Sequence, residues 1–183
     1  MKLFLTITAI LLFIGNSCFA QKSSYVGMED REIKALSGEQ IKGYLAGHGM
    51  GMALPAELNN YPGPKHVLEF SDSLKISDQQ KKRIQTIFDE MHEESVKLGK
   101  SVVEKEKELD QLFATGRITD NSLASMISEI CDLNGKLRFA HLSAHLKTVK
   151  VLDPSQIEKY NQLRGYGEDS MHHQHQHNAH VKD

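Results

Sequence analysis

Tryptophan is absent from the 183-residue chain, and aromatic residues make up only 7% of it. Any core must then be built from Leu, Ile, Val and Met, as in helical bundles. Strand-period alternation of useful length is also missing, which argues against a sheet. Cysteine is nearly absent: Cys18 falls in an N-terminal apolar segment, which leaves Cys131 for the rest of the chain. One cysteine cannot close an internal disulfide. Cys131 lies in an apolar-rich helical stretch and reads as a small buried residue, with pairing between two chains as the alternative. The 4 prolines stand at positions 55, 62, 64 and 154, so none falls inside either long helical tract. A net charge of -2 leaves no basic stripe of the kind nucleic-acid binding needs. Phosphate-binding glycine loops, nucleophile elbows, His-Glu-x-x-His and Cys-x-x-Cys are all missing. A narrow bundle also offers little dry concave volume for chemistry, so the chain reads as a non-enzyme.

What is present begins at the two ends. Lys2 precedes an apolar run from Leu3 to Ile14, then Gly15-Asn16-Ser17 and Cys18-Phe19-Ala20. This is the pattern of an export signal cleaved after Ala20, and the run is too short for a stable membrane span. Lipid attachment at Cys18 is disfavoured, because Gly15 stands where such signals place Leu. The other end, Ser170 to Asp183, carries His172, His173, His175, His177 and His180, half of the chain's 10 histidines. Interruption by Gln, Asn and Ala distinguishes it from a purification tag. Imidazole suits Zn, Cu and Ni, so residues 168–183 read as a disordered, His-rich, metal-binding tail acting as a weak buffer.

Between the ends the pattern is helical. Residues 21–36 are polar and mixed and read as a mobile leader to a domain over 37–167. Ser37 with Gln40 predicts a capped short helix that fails at Gly47, Gly49 and Gly51. An irregular connector follows through Pro55, Pro62 and Gly63, and Pro64 opens a helix over roughly 65–74. Ser77 or Asp78 caps a long helix to about Ala114, with an apolar seam at Ile84, Phe88, Met91, Leu98, Val102, Leu109 and Leu112. Gly116-Arg117 breaks it. Thr119 or Asp120 then caps a second long helix to about Leu152, with Leu123, Met126, Ile130, Leu133, Leu137, Ala140 and Ala144 as its seam. Asp153-Pro154 opens a last helix that ends at Gly165. Two long helices joined by a short turn must be antiparallel neighbours. The expected fold is therefore all-α, a long antiparallel helical hairpin with short flanking helices. Apolar residues off the seam (Ile87, Phe113, Ile127, Leu142, Leu146 and Val149) need further cover, from the short helices or from a second copy in a dimer.

Ile76-Ser77-Asp78-Gln79-Gln80 and Leu152-Asp153-Pro154-Ser155-Gln156 are two copies of a pattern close to Leu-Thr-x-x-Gln, one before the hairpin and one after it. The pair resembles the Spy/CpxP family of periplasmic stress proteins. Residues 49–59 and 61–69, His141-Leu142-Ser143-Ala144-His145-Leu146 and Leu163-Arg164-Gly165-Tyr166-Gly167 resemble its periplasmic heavy-metal-sensor branch. The resemblance spans roughly 37–167 and implies an exported helical hairpin, often dimeric, induced by envelope or metal stress. Some relatives are ATP-independent chaperones, and others bind metal and hold a signalling partner. Ser77 and Asp153 replace the Thr of the pattern, and both are helix-capping residues.

A candidate metal site lies within the hairpin. His141 and His145 share a helix face. With the turn at Gly116-Arg117, they fall opposite a neighbourhood containing Asp89, His92 and Glu93. Heptad positions put Asp89, His92, His141 and His145 on one side of the hairpin, a plausible set for Zn, Ni or Cu. The plainer alternative is an ordinary polar flank. His66, at a helix start, reads as a capping or packing residue. His48, Met50 and Met52 form a soft set that suits Cu(I), although packing is the plainer role for the methionines. The functions in competition are a periplasmic sensor or buffer of Zn, Cu, Ni or a similar divalent ion, an ATP-independent chaperone of unfolded clients, and a regulatory partner of a membrane signalling protein.

Overall fold

The computed structural model describes residues 22–166. The expected export signal over 1–20 and the tail histidines His172, His173, His175, His177 and His180 lie outside the described residues. Six helices follow in order: α1 Gly38–Leu45, α2 Leu54–Glu57, α3 Pro64–Glu69, α4 Asp78–Ala114, α5 Asp120–Val149 and α6 Pro154–Arg164. Among the described residues no strand occurs, and no helix is long and apolar enough to cross a membrane.

α4 and α5 form the expected antiparallel hairpin, reversed at Gly116 with φ 63. Lys105 pairs with Glu129 at 2.9 Å, the register that a turn at Gly116-Arg117 predicts. Lys147 with Glu90 at 3.0 Å is displaced from it by only a few residues. The seam buries Ile84, Leu98 and Val102 of α4 against Met126, Ile130, Leu137 and Ala144 of α5. Ser95, which interrupts the apolar series, is also fully buried.

The two pentapeptides have a physical reason to recur. Each builds a capping box, Ser77 with Gln80 at the start of α4 and Asp153 with Gln156 at the start of α6. The two glutamines then meet. Gln80 Nε2 donates to Gln156 Oε1 at 2.8 Å and to the Val151 carbonyl at 2.9 Å, and Gln156 Nε2 donates back to Gln80 Oε1 at 3.3 Å. The helix caps are thereby tied to one another across the open end of the hairpin. Val67, Leu74, Ile84, Val151, Leu152 and Tyr160 pack into a small core beside them.

Several expectations are corrected. The leader is not free over its whole length: Ile33 and Leu36 are buried, and Lys34 N–H donates to Asp110 Oδ1 at 3.0 Å. An apolar pair three residues apart on a turn is enough to seat that segment on α4. The connector contains the one-turn helix α2, with Pro55 in its first turn. α3 stops at Glu69, since the chain turns through 70–75 with Lys75 at φ 50. α5 stops at Val149, capped by Lys150, rather than near Leu152. Cys131 is exposed rather than buried, because it immediately follows the seam residue Ile130 and so turns away from α4. Ile87 packs against the core, whereas Phe113, Ile127 and Leu146 stay exposed.

Candidate functional site at the connector

α1 and the connector cover one face of the hairpin. Tyr44 of α1 reaches across to α5, donating its hydroxyl to Asn134 Oδ1 at 3.3 Å. Three histidines neighbour this cover, each against a glycine of 47–63; His141 and His145 are buried and His92 is exposed. A Cβ on Gly47 would stand 3.1 Å from His92 Nδ1, and one on Gly49 would stand 3.6 Å from His141 Nδ1. A Cβ on Gly63 would stand 2.9 Å from His145 Cε1 and 3.1 Å from its Nε2, closer than Cβ atoms pack, so only glycine lets the connector close on that ring.

His141 and His145 are 4% and 8% exposed, one turn apart on α5. His145 Nδ1 lies 2.7 Å from the Tyr61 carbonyl, which can only accept, so this nitrogen carries a proton and, in the neutral ring, Nε2 is the acceptor. His141 Nε2 is buried and has no hydrogen-bond partner. Burial pushes the His141 imidazole below its ordinary value of 6.5, and His145 and His92 reinforce the shift. The unfolded chain therefore binds a proton at His141 more readily than the folded one. This contribution to stability is complete above about pH 6.5 and is lost as pH falls from there through the lowered folded value. In thermal melts between pH 7.5 and 5, His141→Leu should flatten the fall in melting temperature. An unchanged pH slope would rule out His141 as a contributor.

The connector is anchored by Glu57, which is 7% exposed. Its Oε1 accepts from the Tyr160 hydroxyl at 2.6 Å, from Arg164 Nε at 3.1 Å and from the Tyr166 hydroxyl at 3.2 Å. Burial, aided by the hydrogen bond to Glu57, holds the Tyr160 phenol far above its ordinary range, so it remains a donor. The Tyr160 hydroxyl in turn accepts from the Gly63 N–H at 3.4 Å. Glu57 Oε2 lies 3.8 Å from His145 Nδ1.

A cavity of ≈ 280 Å³ opens here, with Met50, Glu57, His66, Met91, His145 and Tyr166 in its wall. His66 Nδ1 is 2.7 Å from Glu69 Oε2. The hydrogen bond from His66 holds the Glu69 carboxyl below its ordinary value, so the carboxylate accepts and His66 Nδ1 donates.

The sequence-derived set is brought together only in part. His92, His141 and His145 share the connector side of the hairpin, while Asp89 is exposed and accepts from Gln85 Nε2 at 2.8 Å. His92 stacks on Phe88 at 5.6 Å between ring centroids. Among the described residues, no three His, Cys, Asp or Glu side chains gather in a way that could hold a metal ion. The heptad reading placed His92, His141 and His145 on one flank, but it could not see that the connector packs against these imidazoles. It also missed Glu57, Tyr160, Arg164 and Tyr166. The signal for Glu57, Arg164 and Tyr166 lay in the Pro-Ala-Glu and Arg-Gly-Tyr segments, which carried the family resemblance without an assigned role, and Tyr160 lay in neither.

The other face of the hairpin is open. A groove of ≈ 550 Å³ runs between α4 and α5, floored by Ile87, Met91, Phe139 and Ala140 and rimmed by Glu90 and Lys147. Phe139 is 70% exposed.

Compared with known proteins, residues 65–164 match the model of a family described as LTXXQ motif family protein. No curated protein and no solved structure matches the chain.

Proposed function

The chain belongs to the LTXXQ motif family, the Spy/CpxP-like periplasmic stress and metal-resistance proteins, and on that premise we propose that it is an exported stress protein that binds divalent transition metals as a sensor or buffer. The observation that supports this most is the state of the imidazoles at the connector. His145 carries a proton on Nδ1, toward the Tyr61 carbonyl, and burial favours the neutral form of His141. Neutral imidazole is the form that ligates Zn, Cu and Ni. The five histidines between 172 and 180 add ligands of the same type.

The test is calorimetric titration of the chain lacking residues 1–20 with Zn(II), Cu(II) and Ni(II), beside the same chain ending at Gly167. Binding that survives truncation supports an ion within the helical domain, as a sensor needs. Binding lost with the tail supports a buffer. Absence of heat and of any melting-temperature change with all three ions would sink the proposal.

A second reading, an ATP-independent chaperone, is favoured by the open groove. A groove lined by Ile87, Met91, Ala140 and the exposed Phe139, with charged rims, suits unfolded segments rich in apolar side chains. Phe139→Asp should then reduce suppression of aggregation of a model client at equimolar dose. Equal suppression by the variant and the parent would count against this face.

A further inference from the structure

We propose that the cavity between the leader and the end of α4 binds a small amphipathic cation, with its charged head at Glu106 and its apolar body along Leu109 and Phe113. This ligand class is separate from the metal ions considered above.

Glu106, Leu109, Asp110 and Phe113 recur at helical spacing and so share one face of α4. Burial of Ile33 and Leu36 seats the leader beside that face, and Lys34 and Ala35 make the second wall. The cavity between them is ≈ 480 Å³, within the size range of small-molecule sites. Phe113 is 56% exposed, so the fold leaves most of its ring free to meet a ligand.

The charges around this cavity are paired, with one exception. Lys34 gives its backbone N–H and its Nζ to Asp110, at 3.0 and 3.3 Å. The cations flanking Glu106 in sequence are also committed: Lys107 to Glu32 at 2.6 Å, and Lys105 to Glu108 and Glu129 at 3.0 and 2.9 Å. The Tyr44 hydroxyl, whose phenol is pushed up partly by the Glu106 charge, donates to Asn134 instead. Glu106 is left half-buried, with no hydrogen bond or ion pair among the described residues. Burial alone pushes its carboxyl above the ordinary value of 4.5. A desolvated carboxylate without a counter-charge gains from an incoming cation and repels an anion. Glu106 and Phe113 stand two turns apart, roughly 10 Å along the helix axis, which sets the length of the apolar body. An octyl chain is of comparable length.

The test follows amide chemical shifts of the chain by NMR, without added metal, in titrations with octylammonium, octanol and octanoate. Octylammonium should shift amides of 34–35 and 106–114 to saturation, and octanoate should bind at least about three-fold more weakly, with octanol between. Glu106→Gln should weaken octylammonium about three-fold and leave octanol unchanged. Phe113→Ala should weaken all three ligands, since each loses the same apolar contact. Neither side chain belongs to the buried core, so both variants should keep the parent's helix content, which circular dichroism checks. Octylammonium binding no tighter than octanol, or indifferent to Glu106→Gln, would overturn the assignment of a cation. Shifts that fall outside this cavity, or that ignore Phe113→Ala, would overturn the site itself. None of these outcomes bears on metal binding, which the calorimetry above decides separately.

Discussion

Replacing Glu57 by Ala is expected to destabilise the folded chain by about 3 kcal/mol. The buried carboxylate is the common acceptor for Tyr160, Arg164 and Tyr166. Removing it leaves the fully buried Tyr160 hydroxyl without its shortest hydrogen bond and the Arg164 guanidinium without a counter-charge. Breaking a buried ion pair costs about 3–5 kcal/mol, and the lower end applies because Arg164 retains 28% side-chain exposure. For a chain of this size that corresponds to a melting temperature lower by roughly 6–12 °C. Glu57→Gln keeps an acceptor oxygen for Tyr160 and loses only the charge, so it should cost about half as much. Thermal melts at pH 7 check both. A shift of less than about 2 °C for the alanine form would mean that the network does not hold the connector down. The effect should also be local in origin: amide exchange should rise first in 54–63, because Glu57 and the Tyr160–Gly63 contact fasten that stretch to α6.

The long-range part of this architecture was legible because it rests on periodicity and caps. Ser77, Thr119 and Asp153 announce three helix starts by side-chain chemistry alone, and the structure places a capping box at each. The hairpin register followed from the position of one glycine, and Lys105–Glu129 bears it out. The connector was not legible in the same way. Its residues have no period, and its fold depends on contacts across long sequence separations, such as Glu57 with Tyr160 and Tyr61 with His145. Local sequence carries no signal for which carbonyl an imidazole will meet. The same holds for the two motif glutamines. Each reads as a capping partner for its own helix, and nothing local says that Gln80 and Gln156 bond to each other. The docking of Ile33 and Leu36 was hidden for a related reason: two apolar residues in a polar segment gain their burial only from a groove built much later in the chain.

Glycines give the sharpest contrast between what a helix prefers and what the packing permits. Gly99 and Gly135 both lie inside long helices, where Ala is intrinsically better by about 0.8–1 kcal/mol. Gly135 faces the open groove, and a Cβ there would meet nothing within 4 Å. Gly135→Ala should therefore stabilise the chain by about 1 kcal/mol or slightly less. Gly99 is buried where α1 crosses α4, and a Cβ there would run into the Tyr44 carbonyl oxygen, with the Tyr44 carbonyl carbon only 2.8 Å away. Backbone cannot swing aside as a side chain can, so α1 must lift as a unit. Overpacking of this kind costs about 1–3 kcal/mol, and at a backbone contact the upper end should outweigh the propensity gain. Gly99→Ala is thus expected to destabilise by about 2 kcal/mol net, and Gly99→Leu by more. Lifting α1 would also pull the Tyr44 hydroxyl from Asn134 and loosen Gly47 over His92. The readouts are paired melts of the two alanine forms and limited proteolysis across 38–52. Opposite signs at the two sites, with new cleavage only in the Gly99 form, are the expected result. Stabilisation by Gly99→Ala would mean that α1 is not held against α4 at this crossing, and that the cover over the histidines is looser than the Tyr44–Gly99 contact requires.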